Sequence, residues 1–327
     1  MLQIRDANQF FEGLREKVRA LGDMAAPHPL SAKMAVATVK RYLVDPASKI
    51  RLRDLVFEET EKTVAGLNAP TLLAETRLQP AEELNKRLTK YEGVCETLLA
   101  IVVVGCYWGN QSHAKLWIDC LERVANSAKR ESGLTYLLNL RRYPALLLLY
   151  GGGIAAVAGR NYQNFEAIVV CAKASDDRNE KRSICSVIYP ISVMEDRVDN
   201  LLHGFESRYT PISDYLFAKL RMPLREYLPG EEEYQTAFDQ FEYLFGLVHA
   251  DMNRREVQSG WWGPAGCFAW RGRYFGGDRA TKAIEAEIEA EGSNWGPLKA
   301  GLFGGSLEQA KNAKAKFDAF IGNTCRK

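Results

Sequence analysis

The sequence predicts a mainly α-helical protein: stacked helical hairpins, as an α-solenoid-like or irregular helical bundle, with little or no β-structure. Three observations predict it. Apolar residues recur at helical spacing in segment after segment. An apolar segment, a glycine turn and an amphipathic segment follow one another at 94–126, and the same plan returns at 143–172. The composition, 46% hydrophobic and 26% charged, is that of a globular chain with a sizeable core.

The elements run as follows. Residues 1–22 form an amphipathic helix with Phe10, Phe11, Leu14, Val18 and Leu21 on one face, ended by Gly22. After the turn Pro27-His28-Pro29, Ser31 caps a helix that Asp45-Pro46 stops. A third helix covers 47–66, and Pro70 and Pro80 bracket a short element. Pro80 suits a first helical turn, with Glu82 and Glu83 where the helix dipole favours acids. That helix continues toward LLAIVVVGCYW, with Gly93 as a candidate break. The runs LLAIVVV and AIVVCA are rich in β-branched residues, so buried strand stays open as the alternative there.

The central stretch is LRRYPALLLLYGGGIAAVAGRNYQNFEAIVVCA, read as a buried helical hairpin turning at Gly159-Arg160-Asn161. A membrane span is not favoured: Tyr143–Gly159 falls short of the ~20 residues a bilayer needs and holds Pro144. The charged stretch SDDRNEKR at 175–182 reads as a linker between an N-terminal helical unit, 1–174, and a C-terminal unit, 183–327. Thr210-Pro211 opens one helix there, closed by Met222-Pro223. Gly230 and three glutamates open another, faced by Tyr234, Phe238, Phe241, Phe245, Val248 and Met252. The region 260–279 is too densely punctuated by glycine and proline for a regular element. Two helices close the chain, one capped by Asp278 and ended by Gly292, the other opened by Ser306 with Gln309 and stopped by Gly322.

Composition also bounds function. A net charge of +2 gives no global argument for nucleic-acid or membrane partners. Seven cysteines, an odd count without C-x-x-C spacing, read as buried reduced thiols. With charged residues throughout the first helix no signal peptide is predicted, and a cytoplasmic setting is expected. Gly151-Gly152-Gly153 lacks a following GK[ST] or a dinucleotide fingerprint, so close helix packing is expected rather than phosphate binding. None of His28, His113, His203 and His249 pairs with another His or Cys at metal-ligand spacing. The adjacent acids Glu58-Glu59, Glu195-Asp196 and Glu231–Glu233 point in different directions on a helix and make no dyad. No catalytic residue, cofactor or metal is predicted.

What remains is a region of aromatics interleaved with arginines. Trp261, Trp262, Phe268, Trp270, Arg271, Arg273 and Tyr274 form the candidate contact surface, because Trp, Tyr and Arg dominate interface hot spots. The same residues could instead pack on the domain's own core, or stack nucleic-acid bases, the last disfavoured by the near-balanced charge. The segments LRRYPALLLLYGGGIAAVAGRNY, HPLSAKMAVATVKRYL and GPAGCFAWR resemble, in helical texture, the C-terminal helical regions of bacterial multidomain proteins of the antiphage-defence type. In those an effector domain precedes a helical sensing or assembly region. The resemblance implies a sensor or scaffold portion without an effector domain, and carries over no catalytic residue. The reading is therefore a non-enzymatic recognition or oligomerisation module with a protein partner or a second copy. The alternatives are an enzyme whose site gathers dispersed histidines and carboxylates, and a nucleic-acid-binding module.

Overall fold

Caps and prolines place most helix starts where the sequence indicates, but Pro223, expected to close a helix, lies inside the one that runs Pro211–Leu224. The computed structural model describes residues 31–70, 79–127, 134–195, 198–253, 264–274 and 279–324. The helix expected at 1–22, the turn at Pro27-His28-Pro29, most of the element between Pro70 and Pro80, and the Asp278 cap lie outside these residues. The Ser31 hydroxyl accepts the Met34 N–H to open α1 (Ala32–Val44). Asp45 stops it by accepting from Ala47 and Ser48, and α2 (Lys49–Leu67) follows. Pro80 opens α3 (Pro80–Trp108) with Glu82 and Glu83 in its first turn.

The helix α3 runs unbroken through Gly93, because that position faces open space and the glycine has no conformational demand placed on it. The β-branched run Ile101–Val104 is helical and fully buried, so the strand alternative is excluded there. At 29 residues α3 is long and apolar enough by length and composition to cross a membrane, yet more than half of its apolar window is buried inside the protein. It packs along α1, α2 and the central helix α6.

A turn at Gly109-Asn110 leads to α4 (Ala114–Ala125), and a short α5 (Thr135–Leu140) precedes α6 (Tyr143–Ala158). Every residue of α6 from Tyr143 to Val157 is buried. It touches α3, α4, and two helices from the second half of the chain, α10 (Pro211–Leu224) and α11 (Glu231–Met252). A solenoid confines contacts to neighbouring repeats; a helix touching both halves of the chain makes this an irregular bundle. Gly151, Gly152 and Gly153 face Leu99, Val102 and Phe241. Their missing side chains let α3 and α11 approach, which is the packing role expected of them.

The partner of α6 is α7 (Tyr162–Glu166), prolonged by a π-turn at Ala167–Cys171. AIVVCA is thus helical rather than strand. Asn164, fully buried on α7, donates to the carbonyls of Gly105, Cys106 and Gly109 at 3.3, 3.3 and 3.1 Å. It adds a donor at the C-terminal end of α3, where the Gly105 carbonyl also takes the Gly109 N–H at 2.8 Å.

The stretch expected as a charged linker is a two-stranded antiparallel hairpin. β1 (Lys173–Ser175) pairs with β2 (Lys181–Ser183), Ala174 opposite Arg182. The Asp176 carboxylate accepts the N–H groups of Arg178 and Glu180, both at 2.9 Å, and Asn179 takes a left-handed φ of 66° to close the loop. Short helices α8 (Ile184–Val187) and α9 (Pro190–Val193) lead on to α10. Residues from Ala35 to Phe317, on both sides of 175–182, belong to one contiguous apolar core.

From Cys267 to Tyr274 the chain is helical, α12, correcting the expectation of no regular element between 260 and 279. The helix forms despite Gly272 because Cys267 and Phe268 are buried and Arg271 reaches inward to Asp239. α13 (Arg279–Glu291) ends at Gly292, whose φ is +55°. The short α14 (Gly296–Lys299) and α15 (Leu307–Thr324) complete the chain. Gln309 donates its N–H to the Ser306 hydroxyl at 3.3 Å, as the capping pattern predicts. α15 passes through Gly322 rather than stopping there; with nothing near it, that glycine is merely permissive. The protein is mainly α with a single small sheet among the described residues.

Candidate functional site

Of the seven aromatic and arginine residues singled out in the sequence, the side chains of Phe268, Trp270 and Arg271 are described, and these three do not share one surface. Trp261 and Trp262 lie outside the described residues. Arg273 and Tyr274 fall on the last turn of α12, with side chains outside the described set. Phe268 is buried, edge-on to Tyr243 at 5.8 Å and beside Phe317 at 6.3 Å. It belongs to the core, as the packing alternative held. Trp270 is half-buried and stacks on Tyr209, ring centroids 4.3 Å apart at 13°. Tyr209 is 68% exposed, so this stack meets solvent.

Beneath the stack lies a polar cluster that ties α12 to α10 and α11. Arg271 reaches under its own helix. Its Nη2 donates to the Asp239 carboxylate and lies 2.6 Å from the Cys267 Sγ, and its guanidinium sits 4.5 Å from the Phe217 ring centroid. Glu242 is 2% exposed at the centre. Its Oε1 accepts from the Ser213 hydroxyl and from Tyr150 at 3.3 Å, and the Cys267 thiol lies 3.6 Å from Oε2. Ser213 in turn accepts the Cys267 N–H at 2.9 Å. Gly266 is required here, since a Cβ would fall 2.0 Å from the Glu242 Oε2.

Electrostatics follow from burial. Loss of water pushes the Glu242 carboxyl up to about 7, against lowering by the Ser213 hydrogen bond and by Arg271. Burial first, then the Glu242 charge, pushes the Cys267 thiol well above its ordinary value. Asp239, Glu242 and Cys267 each offer a ligand atom within 4.8 Å of the others, a donor set with metal-binding chemistry. Arg271 already supplies a cation to Asp239 and Cys267, and burial favours the protonated forms of Glu242 and Cys267. The cluster is thereby close to charge balance without an ion.

Sequence reasoning recognised Arg271 but missed Asp239, Glu242, Ser213, Cys267 and Tyr150. The signal was present: Asp239 and Glu242 stand three apart within the aromatic stripe of the helix that begins at Glu231. The histidines stay apart in role. His113 accepts the Asn110 N–H at 3.2 Å in a capping turn, His203 donates its N–H to Asn85, and His249 packs edge-on to Tyr189. Among the described residues no histidine joins a cluster of three metal-ligating side chains. Two surface pockets, of about 480 and 500 Å³, have linings that include none of Asp239, Glu242 or Cys267. No protein-family model, no curated protein and no solved structure matches the chain.

Proposed function

We propose that this protein is a non-enzymatic helical assembly module that associates with a second copy of itself through the Tyr209–Trp270 stack. One observation carries the reading: exposed Tyr209 stacks at 4.3 Å on half-buried Trp270, which stands on a helix anchored by the Arg271–Asp239 pair. Large aromatics already held in place lose little freedom on binding, which is why such residues act as hot spots. A net charge of +2 over 327 residues leaves little repulsion between copies. The resemblance noted in the sequence supplies the setting, the sensor or scaffold part of a bacterial antiphage-defence assembly.

Light scattering on the eluting full chain tests the proposal. The wild type elutes above the single-chain mass of 36.7 kDa, and Tyr209→Ala with Trp270→Ala elutes at it, with unchanged circular dichroism. A wild type that stays monomeric at every concentration refutes it.

A second reading, an acid–base or metal-dependent enzyme at Asp239, Glu242 and Cys267, is favoured by the Glu242 carboxyl standing near 7. Its burial and the guanidinium already at the site weigh against it. Stoichiometric metal in protein purified without chelator, lost in Cys267→Ala, would favour this reading over assembly.

A further inference from the structure

The hairpin at 173–183 brings charge to a place that neither the core nor the aromatic stack uses. Lys181 of β2 forms one wall of a surface pocket of about 480 Å³. Arg53 of α2 and Arg123 of α4 form the others, so three cations from three separate elements converge on one opening. The volume lies within the range of small-ligand sites, roughly 300–1,000 Å³.

Each acid in the lining has a partner, an ion pair for Asp119 and, for Glu122, a backbone N–H that leaves its charge in place. Asp119 pairs with Lys115, and the Glu122 carboxylate accepts the Lys173 N–H at 2.9 Å. Arg123 pairs with Glu61 and lies 4.1 Å over the Phe57 ring centroid, which fixes its plane. Arg53 and Lys181 are exposed and have no ion-pair partner among the described residues. The walls are also held relative to one another. Asn126, at the end of α4, donates to the Lys173 carbonyl and accepts the Ser175 N–H, both at 2.9 Å, which pins the hairpin to that helix.

Arg53 and Lys181, without ion-pair partners of their own among the described residues, repel one another across the opening, and an anion between them relieves that repulsion. Guanidinium groups bind the oxygens of phosphate or carboxylate in pairs, giving geometry as well as attraction. We propose that this pocket binds a compact, multiply charged organic oxyanion, held by Arg53 and Lys181 with Arg123 as a ring-backed third contact. The carbon part of the ligand meets the apolar surface that Val56 and Phe57 contribute to the lining.

Titration calorimetry on the full chain tests this with glucose 6-phosphate, ATP and citrate as probes. The phosphorylated probes and citrate separate the two sources of such an anion. At least one probe is expected to saturate, with affinity falling as salt rises. The double variant Arg53→Ala with Lys181→Ala is expected to weaken it about tenfold or more, about 1.4 kcal/mol. Arg225→Ala, an exposed cation outside the lining, is expected to leave it unchanged. Both variants must keep the wild-type melting temperature. No saturable binding up to ~5 mM of any probe overturns the proposal. So does equal weakening by Arg225→Ala, or retention of a single-stranded oligonucleotide alone.

Discussion

Replacing Gly153 by alanine tests the packing that organises the whole fold. A Cβ at Gly153 would lie 2.1 Å from Cε2 of Phe241 and 2.7 Å from its Cδ2. The ring is fully buried and has little room to withdraw: Tyr150 lies 4.8 Å away, Phe245 5.7 Å and Phe165 6.0 Å. Overpacking of this kind costs about 1–3 kcal/mol, and a contact this close with a confined ring belongs at the upper end. Alanine recovers about 1 kcal/mol of helix propensity over glycine. The net is a loss of about 2 kcal/mol, which lowers the melting temperature of a 327-residue chain by roughly 3 °C. Gly93→Ala is the matched control on α3, where nothing lies within 4 Å of the new methyl group. It gains the propensity term alone and should raise the melting temperature by roughly 1–2 °C. Phe241→Leu makes room, so the double variant with Gly153→Ala should lose less than the sum of the two. Calorimetric melting reads all four proteins. A Gly153→Ala protein as stable as the wild type would refute the close α6–α11 contact.

Other outcomes follow from the buried groups. Glu242 has a folded value raised to about 7 from 4.5, so its contribution is fully present below about pH 4.5 and lost as pH rises through 7. The penalty above pH 7 is on the order of 3 kcal/mol, and in urea titrations Glu242→Gln should remove the fall between pH 4.5 and 7. His249 shows the opposite sign: burial, reinforced by Arg182, pushes it down to about 3 from 6.5, so its contribution is present above pH 6.5 and lost as pH falls toward 3. With Glu242→Gln in place, that rise of stability with pH should stand out alone, and a flat profile would contradict the assignment. Phe268→Ala should destabilise the fold by about 3–5 kcal/mol, whereas the half-buried Trp270→Ala should cost far less in chemical unfolding; equal losses would overturn the division between core and surface. The five buried cysteines among Cys95, Cys106, Cys120, Cys171, Cys185 and Cys267 should resist a thiol reagent in a Cys325→Ser background, and half-buried Cys171, pushed up to about 12, should react slowly at pH 8. Fast labelling of Cys267 would show that α12 opens.

Local signals were the legible ones. Ser31, Asp45, Pro80 and Ser306 mark helix ends through bonds within a few residues, so spacing alone finds them. The apolar run at 143–158 declared a buried helix because no face of it is polar. The hairpin at 173–183 was hidden because its stability comes from elsewhere: Asn126 and Glu122, on α4, hold its edge. The two-turn helix at Cys267 was hidden for the same reason, being fixed by Ser213 and Asp239 from helices far away in sequence. Density of aromatics and arginines located the right region, but it could not separate Phe268, which points into the core, from Trp270, which meets solvent. That separation depends on which face of α12 meets α11, a property of tertiary packing.

Sedimentation equilibrium of the full chain over a concentration series tests the central claim most directly. The account predicts reversible association of the wild type above 36.7 kDa, and a single-chain mass throughout for Tyr209→Ala with Trp270→Ala. A wild type that remains at the single-chain mass, or a double variant that associates equally well, would contradict it.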